Sequence, residues 1–364
     1  MHVAASRGPR LRELGLRIGR FEAGPANAIT DVAGVTVGHV TVWRDEPEPP
    51  AGRGIARTGV TAVLPAPPSS LFDEPVPAGV AVLNGAGELT GAHQIAEWGR
   101  IETPIYLTST HAVGRVYDGA VALATRLDAR VGVDDVVIPV VGECDDSWLS
   151  EARVVQVDAE DAALAVEAAA PGPVAEGAVG GGAGTLTKGF KAGIGTASRI
   201  APSIGGAVGV LVQSNVSAPP PLVVAGVRVG DELGEAHGPS APAGSCIVVV
   251  AVDAPLSAGQ LERVARRVGL GLARTGSVAH HGSGEIFVAF APPGRRPRRE
   301  APVATIADSA LDDVFEAVVD ATEEAVLNAL WAAPEVVGRE GRVAPALPHD
   351  DVLALLAAHG LLSR

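Results

Sequence analysis

Short runs of β-branched and other apolar residues recur along the whole chain, and several are apolar without a break, as in strands covered on both faces. The runs are Gly34–Val42, Thr58–Pro65, Gly79–Leu83, Asp135–Val141, Ala207–Gln213, Cys246–Val252 and Glu285–Phe290. Helical periodicity lies between them, at Glu88–Trp98, Glu160–Ala170, Ser257–Arg274 and Asp308–Trp331. This alternation predicts a layered α/β domain with helices outside buried sheets.

Composition narrows the classes of partner. The 364 residues carry a net charge of −14, whereas binding to nucleic acids and anionic membranes is favoured by clustered Lys and Arg. No apolar run reaches the length of a membrane span, and the N-terminal segment lacks the apolar core of a signal peptide. Two cysteines, Cys144 and Cys246, provide neither a disulfide framework nor a thiol-rich metal site. We therefore expect a cytoplasmic protein that binds neither nucleic acid nor membrane.

Three glycine-rich stretches approach nucleotide-binding patterns without matching them. They are Asn84–Gly91, Gly180–Gly189 and Gly269–Gly276, and each departs from the dinucleotide or phosphate-loop spacing. Backbone turns near a small-molecule site explain them better than a cofactor. His280 and His281 are adjacent, so on a strand they face opposite ways, which disfavours a shared metal.

Polar side chains stand at the ends of several predicted strands, and each has an ordinary structural explanation beside a functional one. Ser283 and Glu285 are two residues apart, so their side chains leave the same face of a strand. Asn215 ends an apolar run, as a turn residue or as a donor to an oxyanion. Glu143, with Asp145 and Asp146 close behind it, caps the next element or holds a cationic group.

Ser245 begins the apolar run that follows a loop of Pro, Ala and Gly at Ala241–Gly244. On spacing alone it is an ordinary residue between loop and strand. If the Gly244–Ser245 bond were cut, its free α-amine, with a reference pKa of about 7.7–8.0, would lie beside the hydroxyl that it could deprotonate. Cys246 is the better intrinsic nucleophile, but it points away from Ser245 along a strand, so we interpret it as a packing residue.

Seven blocks in a fixed order resemble the family of DmpA-type L-aminopeptidase/D-Ala-esterase-amidases and β-peptidyl aminopeptidases. They are Asn27–His39, Asn84–Gly91, Phe190–Arg199, Gly209–Asn215, Gly244–Leu256, Gly269–Ser277 and His281–Phe290. The resemblance covers roughly residues 14–360. It implies a self-cleaving N-terminal-nucleophile (Ntn) hydrolase with an αββα sandwich, similar to Ntn hydrolases but with different strand connectivity. Residues 1–364 would form one domain that is cut into 1–244 and 245–364.

The resemblance also implies roles for individual residues. Ser245 takes the nucleophile position after cleavage behind Gly244. Ser283 and Glu285 take two relay positions, and Asn215 takes the oxyanion-donor position. Glu143 matches an acid that holds the substrate's free amino group, with Asp145 near it in the site.

These roles predict a serine aminopeptidase or amidase. It would release the N-terminal residue of short peptides, amino-acid amides or esters, without metal or organic cofactor. The family resemblance implies a homotetramer of cleaved protomers. Two residues depart from the family's pattern. Asp145 stands near a position where some members carry Tyr, which leaves substrate preference open, and His281 stands where Asn is common.

Three other functions stay open at this point. The fold is similar to that of ornithine acetyltransferases, but those use Thr where this chain has Ser245. Hydrolases of nylon oligomers also prefer Thr. A non-enzymatic protein that retains the fold would keep the Gly244–Ser245 bond intact.

Overall fold

The computed structural model describes residues 8–216, 221–233, 244–298 and 304–362. The strands are β1 (Thr36–Asp45), β2 (Ile55–Leu64), β3 (Val76–Gly85), β4 (Arg100–Ile101), β5 (Ile105–Ser109), β6 (Val140–Cys144), β7 (Leu186–Thr187), β8 (Phe190–Lys191), β9 (Ile194–Ala201), β10 (Gly206–Asn215), β11 (Ser245–Val252), β12 (Gly284–Phe290), β13 (Val336–Val337) and β14 (Val343–Ala344). The helices are α1 (Ala92–Trp98), α2 (Val113–Leu127), α3 (Glu160–Glu167), α4 (Val229–Glu232), α5 (Ala258–Arg274), α6 (Leu311–Ala332) and α7 (His349–Ala358). Within these ranges, none of the helices combines the length and apolar character that crossing a membrane requires.

Two sheets form the centre of the molecule. One has the strand order β1-β2-β5-β6, and the other has the order β4-β3-β12-β11-β10-β9. Every residue of β11 is buried, as its unbroken apolar sequence predicts for a strand covered on both faces. The six-stranded sheet combines strands from both sides of Gly244, so the loop before Ser245 leads into the middle of a sheet. Ala241–Ala243 of that loop lie outside the described residues.

Alternation along β11 divides its side chains between two cores. Ile247 and Val249 pack between the two sheets. Val248 and Val250 pack on the other face, under α5 and α6. The outer face of the four-stranded sheet is covered by α2 and α3. The layers therefore run helix, sheet, sheet, helix, which is the predicted αββα sandwich.

The start of α5 follows directly from its sequence. Ser257 Oγ accepts the Gln260 N–H (3.3 Å), and Gln260 Oε1 accepts the Ser257 N–H (3.0 Å). This reciprocal pair satisfies two backbone donors that would otherwise lack partners at the helix N-terminus. The predicted helix at Asp308–Trp331 opens with a 3₁₀ turn and continues as α6.

The predicted bounds of several strands and helices were wrong. The apolar run Asp135–Val141 is not a strand until Val140, and Val136 within it is 64% exposed. Pro139 has no N–H to give to a ladder, so the strand begins after it. The helix predicted from Glu88 begins only at Ala92, because Gly91 takes a left-handed conformation (φ 76°). Helix α3 ends at Glu167, short of Ala170. Helices α2, α4 and α7 were not predicted.

Candidate active site

Strand register brings Ser245 and Asn215 together. The two residues are paired at the ends of antiparallel strands β10 and β11. Asn215 Nδ2 lies 3.5 Å from Ser245 Oγ and donates to the Asp145 carbonyl oxygen (3.0 Å). Asn215 Oδ1 accepts the Leu186 N–H (3.0 Å). The amide is therefore held so that its N–H groups, and not its oxygen, face the serine hydroxyl.

The neighbouring Cys246 has no access to this site. It is fully buried on the opposite face of β11, among the residues under the helices. Burial raises the pKa of its thiol well above the usual value, which keeps it protonated. Its interpretation as a packing residue agrees with this placement.

Ser283 lies just before β12 and Glu285 lies on it, next to the start of β11. The two strands are parallel, and Ser245 is paired with Gly284. Ser283 Oγ is 2.9 Å from Glu285 Oε2 and 2.7 Å from the His280 carbonyl oxygen. Burial raises the pKa of Glu285, and the Ser283 hydroxyl partly offsets that effect. The expected pairing of this hydroxyl with this carboxylate is therefore present.

The pair approaches β11 from the side opposite the Ser245 hydroxyl. Glu285 is in register with Cys246 and shares its face of β12 with Phe287, which packs under the helices. The Gly284 N–H, between Ser283 and Glu285, donates to the Gly244 carbonyl oxygen (3.2 Å). Ser283 and Glu285 thus flank the Gly244–Ser245 peptide, and no hydrogen bond joins Ser283 to Ser245 Oγ.

Glu143 is a buried carboxylate held by neutral donors. Glu143 Oε2 accepts a hydrogen bond from Thr110 Oγ1, and Oε1 accepts the Glu88 N–H (3.1 Å). Burial raises the pKa of Glu143, the Thr110 hydroxyl lowers it, and Asp145 raises it further. No Lys, Arg or His within the described ranges forms an ion pair with it. A cationic ligand group would therefore find a carboxylate with no competing protein cation.

A cleft of about 550 Å³ joins these groups. Its lining includes Gly244, Ser245 and His111 and five carboxylate residues, namely Glu88, Glu143, Asp145, Asp146 and Glu151. Glu151 is already paired with Arg153, and over the part of the chain described the lining includes no Lys or Arg. The cleft is thus suited to a positively charged ligand beside the serine hydroxyl.

Asp145 contributes to this cleft chiefly through its backbone. Its carboxylate Oδ1 accepts the Ser147 N–H (2.8 Å), while its carbonyl oxygen holds the Asn215 amide. The side chain lines the cleft without bonding to Ser245.

Sequence reasoning missed several groups that shape the site. They are the Thr110 hydroxyl, the Asp145 carbonyl, the Leu186 N–H and the Asn84 amide, whose Nδ2 donates to Ser283 Oγ (3.2 Å). The backbone groups carry no sequence signal. Asn84 does, because it opens the Asn84–Gly91 stretch that was singled out for its glycines. Gly87 and Glu88 of that stretch line the cleft, in agreement with turns near a small-molecule site.

The remaining motifs lie elsewhere. His280 and His281 are exposed, and no cluster of His, Cys, Asp or Glu in the described segments is arranged to hold a metal ion. Gly180–Gly182 form a 3₁₀ turn packed against other backbone, where a Cβ on Gly181 would lie 2.6 Å from the Leu107 carbonyl oxygen. The glycines there allow close packing.

Comparison with known proteins identifies the family. The profile of peptidase family S58 matches residues 27–344. The chain belongs to peptidase family S58. The beta-peptidyl aminopeptidase BapA of Sphingosinicella microcystinivorans is 40% identical over an alignment of 382 residues. The alignment covers 99% of this chain and 95% of BapA.

Solved structures of the same kind agree with the S58 assignment. The L-aminopeptidase D-Ala-esterase/amidase of Ochrobactrum anthropi, a prototype of the serine aminopeptidases and a variant of the Ntn hydrolase fold, has a TM-score of 0.91 at 40% identity over 98% of this chain and 100% of that one. A Burkholderia sp. beta-aminopeptidase has a TM-score of 0.89 at 40% identity over 97% and 99%. The predicted fold is confirmed. This S58 peptidase is a hydrolase of the aminopeptidase type.

Proposed function

We propose that this S58 peptidase cuts its own chain between Gly244 and Ser245, and that the released Ser245 removes the N-terminal residue from short peptides, amino-acid amides or esters. The observation that carries the proposal is the Ser245 hydroxyl beside the Asn215 amide, in a cleft whose wall presents the cation-free carboxylate of Glu143.

The self-cleavage step uses groups already in place around the peptide. Ser245 Oγ attacks the Gly244 carbonyl carbon, and the Gly284 N–H on the carbonyl oxygen stabilises the developing negative charge. The C–N bond breaks, and the hydroxyl proton passes to the nitrogen. The product is an ester of Gly244 with a free Ser245 amine. Water then hydrolyses the ester, leaving the Gly244 carboxylate and the Ser245 hydroxyl.

Turnover repeats this chemistry on a substrate. Glu143 pairs with the substrate ammonium and places the first carbonyl at Ser245. The Ser245 amine takes the hydroxyl proton as Oγ attacks, and it returns that proton to the leaving group. Asn215 Nδ2 stabilises the oxyanion. Water releases the acyl group by the same route, and no metal or organic cofactor takes part.

Ser283 and Glu285 support the amine and not the hydroxyl. They flank the Gly244–Ser245 peptide from the face opposite Ser245 Oγ, so the new amine is the group that they reach most directly. A hydroxyl and carboxylate beside the amine would tune its basicity and receive its proton, which refines the relay expected from the sequence.

The substrate is a molecule with a free amino group close to its scissile carbonyl. One relative is named for β-peptides, and a solved neighbour for L-amino acids and D-alanine derivatives. We propose that this chain accepts substrates of these classes. Cytoplasmic location and a homotetramer of cleaved protomers remain predictions from the sequence.

Replacement of the nucleophile tests the proposal. Ser245→Ala should yield one full-length band on a denaturing gel and no hydrolysis of the p-nitroanilides of L-alanine or of a β-amino acid. Cys246→Ala is the matched control, and it should still give two bands and activity. Two bands from Ser245→Ala, or acyl transfer from N-acetylornithine to glutamate by the wild type with no p-nitroanilide hydrolysis, would reject it.

A further inference from the structure

Asn84 lies at an irregularity of β3, opposite the Ser283–Glu285 pair. The register between β3 and β12 shifts by one residue next to the Asn84–Glu285 pair, so Leu83 is an extra residue that forms a β-bulge. Leu83 faces α5, because a Cβ added to Gly269 of that helix would lie 3.2 Å from Leu83 Cδ2. Strict alternation would turn Asn84 to the opposite face of the sheet. The bulge places it on the α5 side instead, within reach of Ser283.

The Asn84 amide donates two hydrogen bonds on this side. Its Nδ2 donates to the His280 carbonyl oxygen (2.6 Å) and to Ser283 Oγ (3.2 Å). A carbonyl oxygen only accepts hydrogen bonds, so the amide nitrogen of Asn84 and not its oxygen must face His280. Both N–H groups of Nδ2 are therefore used, one on each acceptor.

The His280 carbonyl oxygen has more nearby donors than it can accept. The Ser283 N–H lies at 2.8 Å, Asn84 Nδ2 at 2.6 Å and Ser283 Oγ at 2.7 Å, whereas a carbonyl oxygen has two lone pairs. The two N–H groups use both lone pairs, so the single proton of the Ser283 hydroxyl is left for Glu285 Oε2 (2.9 Å). Without Asn84, one lone pair of the carbonyl would be free and the hydroxyl could turn to it.

The direction of the Ser283 proton decides what Ser283 Oγ can do for the Ser245 amine. One of its two lone pairs accepts the Asn84 N–H, and the other remains for an N–H of the amine. With the hydroxyl proton on Glu285, the amine, the hydroxyl and the carboxylate form one chain of hydrogen bonds. The positive charge that the amine gains as it takes the Ser245 hydroxyl proton is then stabilised by the carboxylate.

We propose that Asn84 is a positioning residue that directs the Ser283 hydroxyl proton to Glu285, so that Ser283 Oγ accepts an N–H of the Ser245 amine during catalysis. The inference rests on the proposed function, which gives Ser245 a free amine. Over the described residues, the lining of the cleft includes neither Asn84 nor Ser283. Asn84 therefore acts on the amine through Ser283 and not on the substrate.

A double-mutant cycle between Asn84→Ala and Ser283→Ala tests the proposal, with p-nitroanilide hydrolysis rates divided by the amount of cleaved protein on a gel. Asn84→Ala should lower kcat about tenfold, the effect of one hydrogen bond. KM should stay within about twofold, because the amine gains its charge only in the transition state. Ser283→Ala should lower kcat about 100-fold. In the Ser283→Ala background, Asn84→Ala should cost no further activity.

Two single variants complete the design. Asn84→Asp keeps the shape of the side chain, but its carboxylate has no N–H and competes with Glu285 for the Ser283 proton, so kcat should fall at least about tenfold with KM unchanged. Leu83→Ala is the matched control, because it truncates the neighbouring exposed side chain of the same bulge. It should retain wild-type kcat. These single variants decide the question if Ser283→Ala yields too little cleaved protein for the cycle.

Equal losses of kcat from Asn84→Ala in the wild-type and Ser283→Ala backgrounds would overturn the proposal, since a general structural defect acts in both. So would a change in KM alone, wild-type kcat in Asn84→Ala, or the same loss of kcat in Leu83→Ala. These results are distinct from failure of the proposed function, which is detected by cleavage or activity of Ser245→Ala.

Discussion

Two buried glutamates show how differently this protein uses the same side chain. Glu324, on α6, is 3% exposed, and its carboxylate bonds to Arg199 Nη2 (2.5 Å) and Asn27 Nδ2 (2.6 Å), with Arg12 at 3.8 Å. Glu143, at the cleft, is 4% exposed, and among the described residues it bonds only to the Thr110 hydroxyl and the Glu88 N–H. Within that part of the chain, one carboxylate is matched by protein cations and the other is not.

The difference separates a structural ion pair from the group that we propose binds the substrate. A buried charge without a counter-charge is costly, and a protein keeps one where a ligand supplies the partner. Glu324 completes a network that joins the N-terminal segment, β9 and α6, so its loss should affect folding. By the same reasoning Glu143 contributes little to folding, so its loss should weaken substrate binding without lowering stability.

The largest effect is expected at Glu324. Glu324→Gln leaves the buried Arg199 without its counter-charge, and should lower the free energy of unfolding by about 3–5 kcal/mol. Urea denaturation measures this change. KM of the protein that remains folded should equal that of the wild type. A variant as stable as the wild type would contradict the proposed difference between the two glutamates.

Glu143→Gln should show the opposite pattern. It removes the charge that pairs with the substrate ammonium, so kcat/KM should fall by about 100-fold, in the range of a desolvated charge pair. The free energy of unfolding should stay level or rise, because the cost of burying the charge disappears. The comparison fails if kcat/KM stays within about threefold of the wild type while stability drops.

A smaller change comes from Thr110→Val. The Thr110 hydroxyl lowers the pKa of Glu143, so its removal raises that pKa. Only the ionised carboxylate pairs with an ammonium, so the loss of kcat/KM caused by protonation of Glu143, which adds to the acid limb set by the Ser245 amine, should begin at higher pH, and kcat/KM on that limb should fall by up to about tenfold. Rate profiles against pH measure the shift.

Thr110→Ser keeps the hydroxyl and serves as the control, with its acid limb expected at the wild-type position. An unchanged profile in Thr110→Val would show that the Thr110 hydroxyl does not keep Glu143 ionised for substrate binding.

Much of the layered fold was predictable, because most of the apolar runs form buried strands. Helix α2 was missed although Val116, Ala120 and Leu123 lie at helical spacing along its buried face. Small residues dominate that face, and they give a weak apolar signal. The strand at Val140 was placed too early, because the exposed Val136 before Pro139 looks the same in sequence as a buried valine.

The candidate site also has one part that the sequence predicts and another that it does not. Residues at strand ends, such as Ser245, Asn215 and Ser283, could be named from the sequence, and register then explains why they meet. The groups that orient them could not be named, because the Asp145 carbonyl and the Leu186 N–H are backbone atoms that any residue type would supply. Thr110 was not predicted, because its contact with Glu143 depends on the turn after β5, and that turn has no recognisable sequence pattern.

The central claim is that Ser245 becomes a chain terminus. N-terminal sequencing of the purified wild-type protein, with intact mass, tests it most directly. Two chains are expected, one of them beginning Ser-Cys-Ile-Val-Val-Val. A single uncut chain that still hydrolyses amino-acid amides would contradict the account.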